Sequence, residues 1–182
     1  MNKINIDFFV IGAQKSGTTT IHNWLVQNEQ ISLPNIKETH FFNHNYQKGM
    51  KWYNSRFKKK CKIRGEVDPS YLLSKRAALN IKKHFQAPKF IILLRKPIDR
   101  AYSHYLMTKF RGLENKTFYD AINCEKSRIE KNEDNFYNFS YLTRSEYVKQ
   151  IQVYKEYFPN SEFYFIRTSL SFTYTAKFSS IY

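Results

Sequence analysis

A short apolar run that ends at a glycine and is followed by a helical pattern constrains the fold more than any other part of this sequence. The run Phe8–Ile11 is followed by Gly12, and a periodic stretch extends from Thr18 to Val26. Continuous apolar runs of this length are typical of buried strands, and a glycine marks the turn that follows. The segment therefore predicts a strand, a loop and a helix, in that order.

A second apolar run, Phe90–Leu94, is the clearest candidate for a buried strand. Pro97 stands where the first residue of a helix is expected, and residues 98–110 can continue that helix. Strands that are apolar throughout are typical of parallel sheets with both faces covered. Further segments predict helices near 74–85 and at 144–158, and strands at 63–67 and 162–166. One stripe of the 144–158 helix carries Tyr147, Ile151, Tyr154 and Phe158.

The alternation of strands and helices predicts a single-domain α/β fold, in which helices flank a central parallel sheet. A length of 182 residues suits one such domain. Ligands of these sheets bind at the carboxyl ends of the strands. The loops after Ile11 and after Leu94 both lie at that edge, so they are the first candidates for a site.

The chain carries a net charge of +15, from 30 Lys and Arg residues against 15 Asp and Glu residues. A field of this sign attracts nucleotides, anionic sugars, nucleic acids and anionic membranes without choosing among them. No recognised DNA- or RNA-binding motif accompanies the charge, and we therefore expect no nucleic-acid partner.

The two cysteines, Cys61 and Cys124, fit no zinc or redox spacing, and we expect both to be reduced thiols. The N-terminus lacks the apolar region of a signal peptide, and Phe8–Ile11 is too short to cross a bilayer. We therefore expect a cytoplasmic protein with no membrane partner. The sequence does not specify the oligomeric state.

The loop of residues 12–19 has the composition of a phosphate cradle, because Gly17 opens a helix whose free N–H groups and dipole attract anions. Lys15 adds a cation beside it. The two glycines have the spacing of a Walker A loop, but Thr18 stands where that loop has its lysine. The Phe90–Leu94 strand also ends in Arg95 rather than in a magnesium-binding Asp, which argues against an ATP- or GTP-hydrolysing enzyme.

A lysine before the second glycine, followed by two threonines, resembles the phosphosulfate loop of sulfotransferases that use 3′-phosphoadenosine 5′-phosphosulfate (PAPS). The resemblance implies that Lys15 contacts the bridging oxygen of the phosphosulfate and neutralises the leaving PAP. It implies that Ser16, Gly17, Thr18 and Thr19 hold the 5′-phosphate. It also implies the P-loop-like sulfotransferase fold, PAPS as co-substrate and no metal. The alternative is a surface lysine beside an ordinary glycine turn.

The loop that follows the second strand, residues 95–105, resembles the 3′-phosphate motif of the same family. Arg95 would make a forked contact with the phosphate, and Ser103, eight positions on, would supply a hydroxyl donor. The alternative is that Arg95 pairs with Asp99 or Glu66 and that Ser103 is a buried helix serine.

Two segments between these loops, Lys37–Asn43 and Gly65–Tyr71, are similar to heparan sulfate sulfotransferases, above all to the N-sulfotransferase domain of the bifunctional N-deacetylase/N-sulfotransferases. This resemblance implies that Glu38 is the catalytic base, which the chemistry needs because the acceptor loses a proton as it attacks sulfur. The alternative is a solvated acid that pairs with Lys37. His40 is a weaker candidate for the base, and a structural role fits it better.

One position departs from the pattern of the heparan 3-O-sulfotransferases. Those enzymes carry a lysine that assists the chemistry where this chain has Val67. The departure argues against an acceptor geometry of the 3-O type.

The resemblance extends from Asp7 to Arg167 in family order. We therefore assign residues 1–170 to a sulfotransferase domain that is incomplete at its C-terminal end, and leave 171–182 as an unassigned tail. The expected function is transfer of a sulfuryl group from PAPS to a hydroxyl or amine of a small-molecule or glycan acceptor. The alternative is a truncated, non-catalytic fragment that binds nucleotide or anionic glycan.

Overall fold

The strands of the protein form one parallel sheet. The computed structural model describes residues 5–58 and 61–168, so the tail 171–182 lies outside the described residues. The strands are β1 (Phe8–Gly12), β2 (Ile31–Ser32), β3 (Ile63–Val67), β4 (Lys89–Arg95) and β5 (Phe163–Thr168). Their order in the sheet is β2-β3-β1-β4-β5, and every neighbouring pair is parallel.

At least one helix lies between each pair of consecutive strands, as the sequence predicts, and several helices lie between β4 and β5. The helices are α1 (Thr18–Gln27), α2 (Gly49–Asn54), α3 (Lys75–Lys82), α4 (Pro97–Phe110), α5 (Phe118–Asn123), α6 (Glu125–Ile129), α7 (Glu133–Phe139) and α8 (Tyr147–Tyr157). Short 3-10 helices cover Tyr46–Lys48 and Thr143–Ser145. Among the residues described, every helix is too short or too polar to span a membrane.

The central strand β1 is buried on both faces. Phe9 and Ile11 contribute to a core that also holds residues of α3 and α8, whereas Phe8 and Val10 contribute to a second core with Ile21 of α1. Because side chains alternate along a strand, a strand covered on both faces must be apolar throughout. The predicted α/β fold with a central parallel sheet flanked by helices is thus confirmed.

The predicted helix at 144–158 begins later than its apolar pattern suggests. Arg144 lies in the 3-10 helix Thr143–Ser145, and Glu146 (φ −78°, ψ 59°) separates this turn from α8. The Glu125 carboxylate accepts from the backbone N–H of Leu142 at 2.6 Å and from that of Thr143 at 2.8 Å, which fixes the turn. These tertiary contacts displace the start of the helix to Tyr147.

The stripe predicted for α8 does face the core. Tyr154 and Phe158 are fully buried, and Tyr147 and Ile151 pack against the same cluster. The final strand extends beyond its predicted end at Ile166 to Thr168, because Arg167 and Thr168 still pair with Leu94 and Arg95 of β4.

Candidate functional site

The loops that follow β1 and β4 meet at the carboxyl edge of the sheet. The N–H of Ala13 donates to the carbonyl oxygen of Leu93 at 2.8 Å. The Arg95 guanidinium donates through Nη1 to the carbonyl oxygen of Lys15 at 3.2 Å. The structure therefore brings together two predicted motifs that lie 80 residues apart in the chain.

The first loop leads into the N-terminus of α1. Gly17 is the N-cap in a left-handed conformation (φ +91°), and no side chain caps the helix, so its first N–H groups remain available to an anion. Lys15 also has a positive φ, +69°, which is unusual for a residue other than glycine. Ser16 and Thr18 are buried, whereas Gly17 and Thr19 are exposed.

Lys15 and Ser103 line the same open cavity, which has a volume of about 630 Å³. Its other lining residues are Leu106, Met107, Lys109 and Phe110. Ser103 is half-buried on α4 with access to this cavity, so the alternative of a buried helix serine is wrong.

Several positive charges surround Lys15. Burial lowers the pKa of Lys15, and the neighbouring cations Arg111, Arg95 and Lys37 lower it further. Arg111, the C-cap of α4, was not predicted as a site residue, although four-residue steps from Ser103 through Met107 lead to it. This helical spacing was the signal that could have identified it. The group of cations makes this edge of the sheet a favourable place for a phosphate or a sulfate.

Glu38 lies beside the first loop, in a left-handed backbone conformation (φ +59°). The Lys37 ammonium pairs with Glu38 Oε1 at 2.9 Å and also donates to Thr19 Oγ1 at 2.9 Å. The ion pair between Lys37 and Glu38, which the alternative of a solvated acid predicts, is therefore present. It lies next to the predicted phosphate residue Thr19, with Lys37 30% and Glu38 28% exposed.

Glu66 is not the partner of Arg95, so this part of the alternative for Arg95 is wrong. The Glu66 carboxylate is fully buried and accepts from the hydroxyl of Tyr53 at 2.8 Å, from that of Tyr71 at 3.1 Å and from that of Thr39. Burial and the neighbouring Asp68 charge raise the pKa of Glu66 to about 7, against the lowering effect of these hydroxyl groups.

His40 is tied to the end of β3 through its backbone and its ring. Its N–H donates to Asp68 Oδ2 at 2.8 Å, and its Nδ1 lies 3.1 Å from the same oxygen and 3.2 Å from Ser70 Oγ. The hydrogen bond with Asp68 raises the pKa of His40, although burial opposes the shift. The ring is thus held beside Glu38 with its protonated form favoured.

Buried basic side chains of α4 face the segment that precedes α8. Arg100 is fully buried and donates to Ser145 Oγ at 2.7 Å and to the carbonyl oxygen of Tyr141. Burial lowers the pKa of His104 to about 2, and the charges of Arg144 and Arg100 contribute to the shift. These contacts fix α4, and with it Ser103, against the segment that precedes α8.

The sequence of the chain matches the model of a family described as the sulfotransferase domain over residues 5–168, and the chain therefore belongs to this family. A solved relative agrees with this assignment. The crystal structure of a sulfotransferase from Alicyclobacillus acidocaldarius superposes with a TM-score of 0.79 at 26% identity, covering 90% of this chain and 73% of that one.

Relatives of known activity include heparan sulfate sulfotransferases. The heparan sulfate glucosamine 3-O-sulfotransferase 5 of Mus musculus is 29% identical over 164 residues, which cover 86% of this chain and 46% of that protein. The bifunctional heparan sulfate N-deacetylase/N-sulfotransferase 4 of Mus musculus is 37% identical over 108 residues, which cover 54% of this chain and 12% of that protein. The chain thus spans less than half the length of these two relatives.

Proposed function

We propose that the chain transfers a sulfuryl group from PAPS to a hydroxyl or amine of a saccharide. The observation that carries this proposal is that Lys15 and Ser103 line one cavity while Arg95 contacts the backbone of Lys15. Three residues from the two family motifs thus lie together at the edge of the sheet where such folds bind ligands. The names of the heparan sulfate relatives support a saccharide acceptor.

The residues present fit PAPS, which supplies an activated sulfuryl group when bound. Ser16, Gly17, Thr18 and Thr19 surround the uncapped N-terminus of α1, where a 5′-phosphate gains N–H donors and the favourable end of the helix dipole. Arg95 and Ser103 would hold the 3′-phosphate, since a guanidinium and a hydroxyl both donate to its oxygens.

The roles of the chain's own residues follow from the charge that moves during transfer. Lys15 stabilises the negative charge that develops on the leaving phosphate as its bond to sulfur breaks. Glu38 accepts the proton that the acceptor oxygen or nitrogen loses as its bond to sulfur forms. Lys37 holds the Glu38 carboxylate in place through the 2.9 Å ion pair.

The binding arm of the test measures PAP affinity of the purified chain by calorimetry. Lys15→Ala and Arg95→Ala should each weaken binding by about tenfold or more, because each removes a charge-assisted contact. Lys89→Ala is the matched control, since Lys89 lies at the opposite end of β4 from Arg95 and pairs with the exposed Glu162. Unchanged affinity in both site variants would refute the assignment of the site.

The catalytic arm measures transfer from labelled PAPS to a panel of saccharides, with Glu38→Gln alongside the unaltered chain. Labelled saccharide should form with the unaltered chain, and its rate of formation should fall by about a hundredfold or more without the base. PAP binding without any labelled product would instead indicate the non-catalytic, nucleotide-binding alternative.

A further inference from the structure

The segment that carries Glu38 has an unusual backbone. Glu38 (φ +59°) and His40 (φ +49°) both occupy the left-handed region, and Thr39 lies between them. Such conformations cost about 1 kcal/mol or more for each residue that has a Cβ atom. They persist only where surrounding contacts hold them, so the segment must be restrained from outside.

Thr39 connects this segment to the buried carboxylate of Glu66. Its hydroxyl donates to Glu66 Oε1, and its Oγ1 accepts the N–H of Phe41 at 3.1 Å. Thr39 is only 3% exposed, so it has no access to an acceptor or to PAPS. The hydroxyl therefore connects the segment to β3 through Glu66 and also binds the backbone on the C-terminal side of Thr39.

The end of β3 provides the rigid side of this connection. Glu66 lies within β3, which pairs directly with the central strand β1. Tyr53 and Tyr71 donate to the same carboxylate, so the position of Glu66 is fixed independently of Thr39. A hydrogen bond to a rigid, buried carboxylate restrains its donor more strongly than one to a mobile surface group.

We propose that Thr39 is a positioning residue, whose hydroxyl, held by Glu66, keeps the Glu38 carboxylate in the orientation needed to accept the acceptor's proton. This inference rests on the proposed function, because it assigns Glu38 the role of base. A threonine that merely fills the core would tolerate valine, which has the same shape without the hydroxyl. A positioning threonine tolerates serine, which keeps the hydroxyl.

The first test measures backbone amide hydrogen exchange at His40 by NMR in the full chain. The His40 N–H is bound to Asp68 and not to Thr39, so its exchange rate reports the restraint of the segment. Thr39→Val should accelerate exchange at His40 by about tenfold, whereas Thr39→Ser should stay within about twofold of the unaltered chain. Equal rates in Thr39→Val and the unaltered chain would overturn the inference.

Two further variants keep this test decisive. Tyr53→Phe removes another hydroxyl from Glu66 and keeps the ring that packs on Phe41, so it should leave exchange at His40 within about twofold. An acceleration equal to that of Thr39→Val would show that the effect comes from Glu66 in general and would contradict the role of Thr39. Thr39→Ala also removes the hydroxyl, and it decides the comparison if the valine variant does not fold.

The second test separates kcat from KM in sulfuryl transfer. Thr39→Val should lower kcat by about tenfold and leave KM for PAPS within about twofold, and Thr39→Ser should restore kcat. A change in KM alone would overturn the positioning role. Absence of transfer by the unaltered chain would refute the proposed function, while the exchange measurement would still decide whether Thr39 restrains the segment.

Discussion

The Arg95 side chain donates a hydrogen bond to the carbonyl oxygen of Lys15 over 3.2 Å, so the end of β4 holds the loop that follows β1. Arg95 is itself restrained, because the hydroxyl of Tyr147 donates to its carbonyl oxygen at 2.9 Å. The left-handed backbone of Lys15 (φ +69°) gains an external contact in this way. Arg95 thus supports the lysine loop, in addition to the phosphate binding that we propose for it.

Arg95→Lys tests the two functions together. Lysine keeps the charge but has neither the planar fork nor the second donor that would reach Lys15 and a phosphate at once. We expect PAP affinity to fall by about threefold to tenfold, which is less than for Arg95→Ala. Calorimetry on Arg95→Lys, with the exposed neighbour Lys96→Arg as control, measures this. Affinity equal to that of the unaltered chain would show that charge alone suffices at this position.

Gly17→Ala should reduce both stability and PAP affinity. The added Cβ would lie 3.8 Å from Leu93 and Thr168, so space is sufficient and the cost is the left-handed φ of +91°. We expect a loss of about 1–2 kcal/mol in the free energy of unfolding, measured in urea. Gly49→Ala is the matched control, because Gly49 also has a positive φ (+75°) with nothing within 4 Å. The control should lose stability without losing PAP affinity, and an equal affinity loss would contradict a specific role for Gly17.

The elements that surround the proposed site could be predicted from the sequence because their signals are local. A parallel strand buried on both faces must be apolar, and Phe8–Ile11 and Phe90–Leu94 show this directly. The two loop motifs follow these strands, so the edge of the sheet on which they lie was also predictable. Their contact through Arg95 and Lys15 required only that β1 and β4 be neighbours.

The structure between α4 and α8 was not predicted, because it depends on tertiary contacts. Helices α5, α6 and α7 have only 6, 5 and 7 residues, too few to be stable alone. Glu125 binds the backbone of the segment that follows them, and Glu114 accepts from Arg128 at 2.6 Å and from Tyr141 at 2.8 Å. The role of Glu66 could not be predicted either, because its hydroxyl donors Thr39, Tyr53 and Tyr71 lie 27, 13 and 5 residues away in the sequence.

Arg111→Gln should shift the pH dependence of PAP binding to higher pH. Burial lowers the pKa of Lys15, and Arg111 is the largest contributor among the neighbouring charges. Lys15 therefore loses its proton at a lower pH than an ordinary lysine, and PAP binding weakens as pH rises through that point. Without the charge of Arg111 the pKa of Lys15 rises, so the weakening begins at higher pH. Calorimetry across the alkaline range measures this, and coincident profiles would refute it.

Gly65→Ala should destabilise the sheet through Phe8. The two residues face each other across β3 and β1, and a Cβ at Gly65 would lie 2.1 Å from the Phe8 ring. We expect a loss of about 1–3 kcal/mol in the free energy of unfolding. Adding Phe8→Leu should recover part of this loss, because the ring no longer occupies the space. Urea unfolding of the single and double variants measures the coupling, and additive losses would contradict the contact.

Glu66 should make the stability of the fold decrease as pH rises. Its pKa is about 7 in the folded protein, because burial and Asp68 disfavour the charge, against 4.5 in the unfolded chain. The folded state therefore keeps a proton that the unfolded chain has lost between these two values. The stabilisation is complete below pH 4.5 and is lost as pH rises through about 7.

Glu66→Gln isolates this contribution, because glutamine keeps the size of the side chain and does not titrate. The stability of the unaltered chain relative to Glu66→Gln should fall by about 3 kcal/mol between pH 4.5 and pH 7, from 1.36 kcal/mol per pKa unit. His104 acts in the opposite direction, since its folded pKa of about 2 removes stability as pH falls below 6.5. The contribution of His104 cancels when the two proteins are compared, because both contain this residue. Urea unfolding at several pH values measures the difference, and parallel profiles would show that folding does not raise the pKa of Glu66.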